Sequence, residues 1–241
     1  MEMKKPKSDV VHMENEGQSV VISLGGSVLI PGNGDAEFIT KVSDLVQNHS
    51  IDKKIWIVAG GGPTARTYIK IIKELGGDIH EQDRFGILAT RMNANILVHA
   101  LGDSCAQECP ETIEKAAELG KTNKIVVMGG TEPGHTTDAV AAMLCRRIGC
   151  KVMINATNVD GIYDKDPRKH ADAARMDRIG YQQLVDIIGM NREAGQNVVF
   201  DPKAADIVMK EGITLKVVQG RDILNLEKAI EGKEFTGTVV K

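Results

Sequence analysis

Two hydrophobic periods alternate along this chain. The run Ser-Val-Val-Ile-Ser-Leu over 19–24 reads as a strand, and over 36–48 the residues Phe38, Ile39, Val42, Leu45 and Val46 share one helical face, with Asp35 placed to cap it. The same grammar then repeats: a strand over 55–59, a turn of three glycines at Gly60, Gly61 and Gly62, and a helix over 64–75 entered through Pro63 and followed by Gly76. A helix over 84–101 is expected to bury Phe85, Leu88, Met92, Ile96 and Leu97, and another spans 111–119 after Pro110. Residues 124–128 form a short apolar strand, and Val140, Met143, Leu144 and Ile148 repeat at helical spacing over 139–148. A strand over 151–156 runs into a turn-rich segment, 157–167, expected to make a hairpin-like excursion. A helix over 202–211 stopped by Gly212, a strand over 215–218, a helix over 223–230 and an edge strand over 237–240 complete the pattern.

Strands that alternate with helices predict an α/β fold, with a central, mostly parallel sheet between two helical layers. Ligands of such sheets sit beyond the carboxyl ends of the strands. The loops at Gly25, Gly60, Gly129 and Thr157 all follow strands, so they are expected to meet at one sheet edge, and four such loops imply two substrates. Residues 1–17 are polar and lack periodicity, which predicts a flexible tail ahead of a single domain over 18–241.

Composition narrows the partners. Apolar residues make up 42% of the 241 and charged ones 26%, and no apolar run is long enough to cross a membrane. Lys4, Lys5 and Lys7 are followed by polar residues rather than an apolar leader core, so a cytoplasmic setting is expected. With 30 basic against 33 acidic residues and 3% aromatics, neither a basic field nor stacking platforms recommend nucleic acid as a partner. Cys105, Cys109, Cys145 and Cys150 show no metal or disulfide spacing and read as free, mostly buried thiols. The histidines are scattered in sequence and suggest no metal constellation.

The densest chemistry lies between the strand at 124–128 and the helix at 139–148, in Gly129-Gly130-Thr131-Glu132-Pro133-Gly134-His135-Thr136-Thr137-Asp138. Glycines admit a ligand close to backbone amides, and a helix start favours an anion. The plainer reading is a turn in which Thr136 or Thr137 caps the helix. Arg66, in the first turn after the triple glycine, supplies a cation suited to phosphate. Gly120-Lys121-Thr122 fails as a phosphate loop, because Lys115 stands where the pattern needs glycine and a strand follows. Gly60-x-Gly62-x-x-Ala65 fits a dinucleotide fingerprint with Asp83 as its acid, but 76–81 supplies no second strand.

Gly25-Gly26-Ser27 after a strand, the triple glycine with Arg66, the run Thr-Asn-Val-Asp-Gly-Ile-Tyr at 157–163 and Asp201-Pro202 occur in the order found in the amino acid kinase superfamily. With the loop 129–138, the chain from about Val20 onward resembles the archaeal-type uridylate kinase family. The resemblance implies phosphoryl transfer from ATP to UMP with Mg²⁺, in the route to UTP and CTP, by a homohexamer. It implies an acceptor-binding lobe up to about residue 150 and an ATP-binding lobe over 151–241. It places ATP at Gly26, Ser27, Gly62, Arg66, Thr157, Asn158, Tyr163 and Asp166. It places UMP at Gly61, Asp83, Thr131, Glu132, Pro133, Gly134, His135, Thr136 and Thr137, and the catalytic work at Arg66, Thr137, Asp138 and Asp201. No metal ligand is assigned.

One departure stands out: many members carry lysine two residues before the first glycine, where this chain has Ser23. Lys203 is a candidate substitute by its nearness in sequence to Asp201. A phosphotransferase of the same superfamily acting on a carboxylate, carbamate or isoprenoid phosphate, a non-catalytic nucleotide-binding protein and a dinucleotide oxidoreductase are the alternatives.

Overall fold

In chain order the elements are β1 (Ser19–Leu24), α1 (Gly26–Leu29), α2 (Ala36–His49), β2 (Lys54–Ala59), α3 (Gly62–Glu74), α4 (Ile79–Leu101), α5 (Ile113–Thr122), β3 (Ile125–Met128), α6 (Thr137–Ile148) and β4 (Val152–Thr157). They continue with β5 (Ile162–Tyr163), β6 (Arg175–Met176), β7 (Arg178–Ile179), α7 (Tyr181–Met190), α8 (Pro202–Glu211), β8 (Thr214–Gln219), α9 (Ile223–Glu231) and β9 (Gly237–Val240). They come from a computed structural model that describes residues 19–32, 34–165, 167, 169–190 and 200–241. The expected tail at 1–17 and Asp166 lie outside the described residues.

Seven strands form one sheet in the order β3-β2-β1-β4-β8-β9-β7. The first five run parallel, and β9 pairs antiparallel with β8. Side chains two apart on a strand face the same layer, so Val20, Ile22 and Leu24 of β1 join α1, α2, α4 and α9 in one core, while Val21 joins α5, α6, α7 and α8 in the other. The result is the expected αβα sandwich. Because β1, β2 and β3 step one way and β4 lies on the other side of β1, the strand order reverses between β1 and β4, the switch point at whose carboxyl edge such sheets form a ligand crevice.

Helix α4 departs from expectation at both its start and its faces. It begins at Ile79, because Asp78 and Glu81 close a reciprocal capping box that the preceding Gly76-Gly77 concealed. Phe85, Leu88, Met92 and Ile96, expected in the core, are 40%, 51%, 54% and 42% exposed, and only Leu97 is buried. The helix carries two apolar stripes, and the one with smaller residues, Ala89, Ala94, Leu97 and Val98, packs inward because small side chains let it approach the sheet closely. On the neighbouring α3 only Ala65 is buried, and Tyr68, Ile71 and Leu75 are also exposed.

Smaller features complete the picture. Strand β9 is not an edge, since β7 hydrogen-bonds to its free side. The expected hairpin-like excursion after β4 is present as a short antiparallel pairing of β5 with β6, while α7 is an element that the pattern did not suggest. Gly120 lies in the last turn of α5, and a Cβ there would lie 2.4 Å from Cζ2 of Trp56, so its role is to admit the indole.

Candidate active site

Strands β1 and β2 end in glycine turns that lock into each other. A Cβ on Gly26 would lie 2.1 Å from the Gly62 nitrogen, and one on Gly60 would lie 2.5 Å from the Gly26 nitrogen. Gly62 also has φ of +60°, a left-handed conformation that a side chain would strain. These glycines are therefore demanded by backbone meeting backbone, a constraint that sequence reasoning had credited to the ligand alone. Neither α1 nor α3 has a side-chain cap at its start, so leading amides keep donors to offer an anion. Arg66, at the start of the second turn of α3, donates to Ser27 Oγ at 3.3 Å, which brings the two expected phosphate contacts together.

One turn of α4 fastens both glycine-rich loops. Asn93, 3% exposed, donates through Nδ2 to the carbonyls of Gly60 at 2.7 Å and Gly61 at 3.3 Å. Thr90 Oγ1 accepts from the Gly130 amide at 2.6 Å, and Arg91 donates to the carbonyls of Gly130 and Thr131 at 3.1 and 3.0 Å. The Arg91 guanidinium also pairs with Glu111 at 2.7 Å. None of Thr90, Arg91 and Asn93 was singled out from sequence. Their signal was faint: two polar residues, Thr90 and Asn93, on the small-residue face of a helix.

The loop 129–138 is further fixed from α4 and β1. Asp83 Oδ2 accepts from the Gly134 amide at 2.8 Å, so Asp83 joins the loop with which it was grouped and is not at the end of a second strand as a dinucleotide site requires. Gly134 adopts φ of +82°, a conformation open to glycine, and turns the loop after Pro133. Thr136 caps α6 by accepting from the Ala139 amide at 3.2 Å, and Thr137 opens that helix. His135 Nδ1 lies 3.3 Å from Glu132 Oε1 without reaching hydrogen-bond geometry. Thr131, Glu132 and His135 line a cavity of about 650 Å³ that continues to Arg146 and Arg147 at the far end of α6.

At the floor, Ser23 Oγ donates to Asp138 Oδ1 at 2.6 Å, joining β1 to the first turn of α6. Burial raises the Asp138 carboxyl to about 6, the Ser23 bond opposes that rise, and the charge of Asp201 adds to it. Asp201 in turn caps α8 by accepting from the Ala204 amide at 2.8 Å. The fold has thus brought together two of the acids named from sequence, and among the described residues neither has an ion-pair partner. Lys203 is exposed on the first turn of α8.

On the other side of the crevice, the Gly25 amide donates to the Ala156 carbonyl at 2.9 Å, and the Thr157 carbonyl accepts from the Gly220 amide at 2.7 Å. Thr157 and Asn158 are therefore set beside the first glycine turn, with the Asn158 carbonyl held by Gln219 Nε2 at 3.1 Å. Tyr163 stands farther along the excursion, and its hydroxyl donates to Asp160 at 2.9 Å, which raises the phenol's pKa. Arg175 braces the same Asp160 at 3.2 Å.

This arrangement of strand-end glycine turns has a family. The model of the amino acid kinase family matches residues 18–219. The chain belongs to the amino acid kinase family. Within that family it is 43% identical over 225 residues to the uridylate kinase of Thermoplasma volcanium, covering 93% of this chain and 98% of the relative. The crystal structure of uridylate kinase from Archaeoglobus fulgidus superposes with a TM-score of 0.84 at 43% identity, covering 92% of this amino acid kinase and 99% of the other chain. The UMP kinase structure from Bacillus anthracis, at 19% identity and a TM-score of 0.76 over 94% and 97% of the two chains, shares the fold.

Proposed function

We propose that the chain is a UMP kinase, transferring the terminal phosphoryl group of ATP to UMP to give ADP and UDP. The observation that carries the reading is similarity at 43% identity to proteins named uridylate kinase across nearly their whole length. The site chemistry agrees with it. A phosphate acceptor is already a nucleophile, so the protein's task is to hold two anions in line and spread the charge of the group in flight.

In this reading the half of the chain up to about residue 150 holds the acceptor and residues 151–241 hold ATP. UMP lies against Gly61, Asp83 and the loop from Thr131 to Thr137, and ATP against Gly26, Ser27, Gly62, Thr157, Asn158 and Tyr163. Arg66 and the leading amides of α3 meet the phosphates, and Thr137 follows the migrating group. Asp138, oriented by Ser23, and Asp201 are the acids at the centre. Two carboxyls without ion-pair partners among the described residues fit a divalent cation carried on the triphosphate, since hard oxygens are what Mg²⁺ accepts. Mg²⁺ there would supply charge neutralisation, held mainly by the ATP phosphates.

The exposed apolar side chains of α3 and α4, among them Tyr68, Phe85, Leu88 and Met92, support self-association, with a second copy covering them and a homohexamer as the assembly. The product UDP leads towards UTP and CTP. No helix among the described residues is long and apolar enough to cross a membrane, which agrees with work in the cytoplasm.

The test is ADP release with UMP, CMP, carbamate, acetylglutamate and isopentenyl phosphate offered in turn. Turnover with UMP well above the rest is expected. No turnover with UMP overturns the reading.

A further inference from the structure

A cluster far from the glycine loops has chemistry that the kinase reading does not use. His49 ends α2, immediately before the chain turns into the amino end of β2, and Glu227 and Glu231 lie one helical turn apart on α9. His49 is separated from the two glutamates by 178 residues or more in sequence, which is why scattered histidines suggested no metal constellation. The fold nevertheless sets one ligand atom from each within 4.8 Å of the others. The cluster sits at the amino edge of the sheet, whereas phosphoryl transfer belongs to the carboxyl edge.

The separation of His49 and Glu227 suits a shared cation better than it suits the pairing in place. His49 Nε2 and Glu227 Oε1 stand 3.4 Å apart, longer than an ordinary N–H···O bond. Two ligand atoms on a tetrahedral metal, with bonds of about 2.0 to 2.2 Å, are about 3.3 to 3.6 Å apart. Glu231 gives one oxygen to the Lys233 ammonium at 2.8 Å and keeps the other, the outer-sphere support typical of a ligating carboxylate. His49 is largely covered, with 16% of its side chain exposed, whereas Glu231 lies at the surface. Lys53 and Lys233 also face the cluster and oppose a weakly held hard ion. An imidazole among the donors selects a borderline transition metal over Mg²⁺ or Ca²⁺.

We propose that His49, Glu227 and Glu231 bind one divalent cation of the zinc class, water filling the fourth position, and so tie the end of α2 to the end of α9.

The experiment uses the full chain without an affinity tag, stripped with a chelator, free of nucleotide and dialysed against Zn²⁺. One Zn²⁺ per chain and a raised melting temperature are expected for the wild type. Glu231→Gln and His49→Ala are expected to lose both effects while keeping turnover with ATP and Mg²⁺. Co²⁺ in the wild type is expected to give the visible bands of a tetrahedral nitrogen and oxygen shell without thiolate charge transfer, which separates this site from the cysteines. Absence of bound Zn²⁺ in the wild type, equal binding in the variants, or a thiolate band overturns the proposal. Should His49→Ala not fold, Glu227→Gln with Glu231→Gln and the wild-type Co²⁺ spectrum decide it.

Discussion

Ser23 Oγ donates to Asp138 Oδ1 at 2.6 Å across 115 residues of chain, tying β1 to the first turn of α6 at the base of the crevice. In relatives with lysine at this place an ammonium would face that acid; here a neutral hydroxyl orients it without cancelling its charge. Ser23→Ala is expected to lower kcat by about 10-fold, because a hydrogen bond to a charged group contributes about 1.5 to 3 kcal/mol and part of it is recovered by water. The acid limb of the pH–rate profile should move to higher pH, since the bond that favours ionised Asp138 is gone. An unmoved profile would remove the positioning role.

Asp138 carries a folded-state pKa of about 6 against an ordinary 3.8, so between those values the folded protein binds more protons than the unfolded chain. Stability therefore falls as pH rises from about 4 to about 6, and above that range a constant deficit of at most about 3 kcal/mol persists. Asp138→Asn, which can still accept from Ser23, is expected to melt higher than the wild type at pH 8 and to match it near pH 4. It should also lose most of its turnover. Thermal melts across pH check the first claim, and equal melting at pH 8 would contradict it.

Arg66 reaches Ser27 across the mouth formed by α1 and α3. Its replacement by alanine removes a charge-assisted donor for phosphate, and a loss of about 10- to 100-fold in kcat/KM follows from about 1.5 to 3 kcal/mol. Melting should change little, because the side chain is exposed. Wild-type kinetics in this variant would mean that the phosphates lie elsewhere.

Asn93 is the buried latch on the Gly60 and Gly61 carbonyls. Asn93→Ala leaves both carbonyls without that donor and is expected to cost about 1 to 3 kcal/mol of stability. It should raise KM for both nucleotides, because the turn that it fastens is wedged against the Gly26 turn. Denaturant melts and two-substrate kinetics test it together.

Leu88 is 51% exposed on the outer stripe of α4. Leu88→Asp would place a charge in the face proposed for self-association, and light scattering is expected to show a smaller species than the wild type. An unchanged mass would assign that face to something other than self-association.

Much of the fold could be read from the chain because its helices announce their ends locally. Asp35, Thr136 and Asp201 each cap the helix they precede, and Gly212 stops α8. What stayed hidden was set by the third dimension. Two apolar stripes on α4 are equal in sequence, and only packing against the sheet decided that Ala94 and Leu97 face inward while Phe85 and Met92 do not. Thr137 and Asp138 were legible as part of one loop, whereas Asp83, which accepts from the Gly134 amide, was reached only through the family resemblance. Thr90, Arg91 and Asn93 were not legible, since a polar residue on a helix carries no sign of the distant carbonyl that it meets. His49 and Glu231 share that difficulty.

The contact of Gly26 with Gly60 and Gly62 has a mechanical consequence. With backbone set against backbone, a side chain at any of these three positions would push the ends of β1 and β2 apart, so even an alanine there would displace both glycine turns at once.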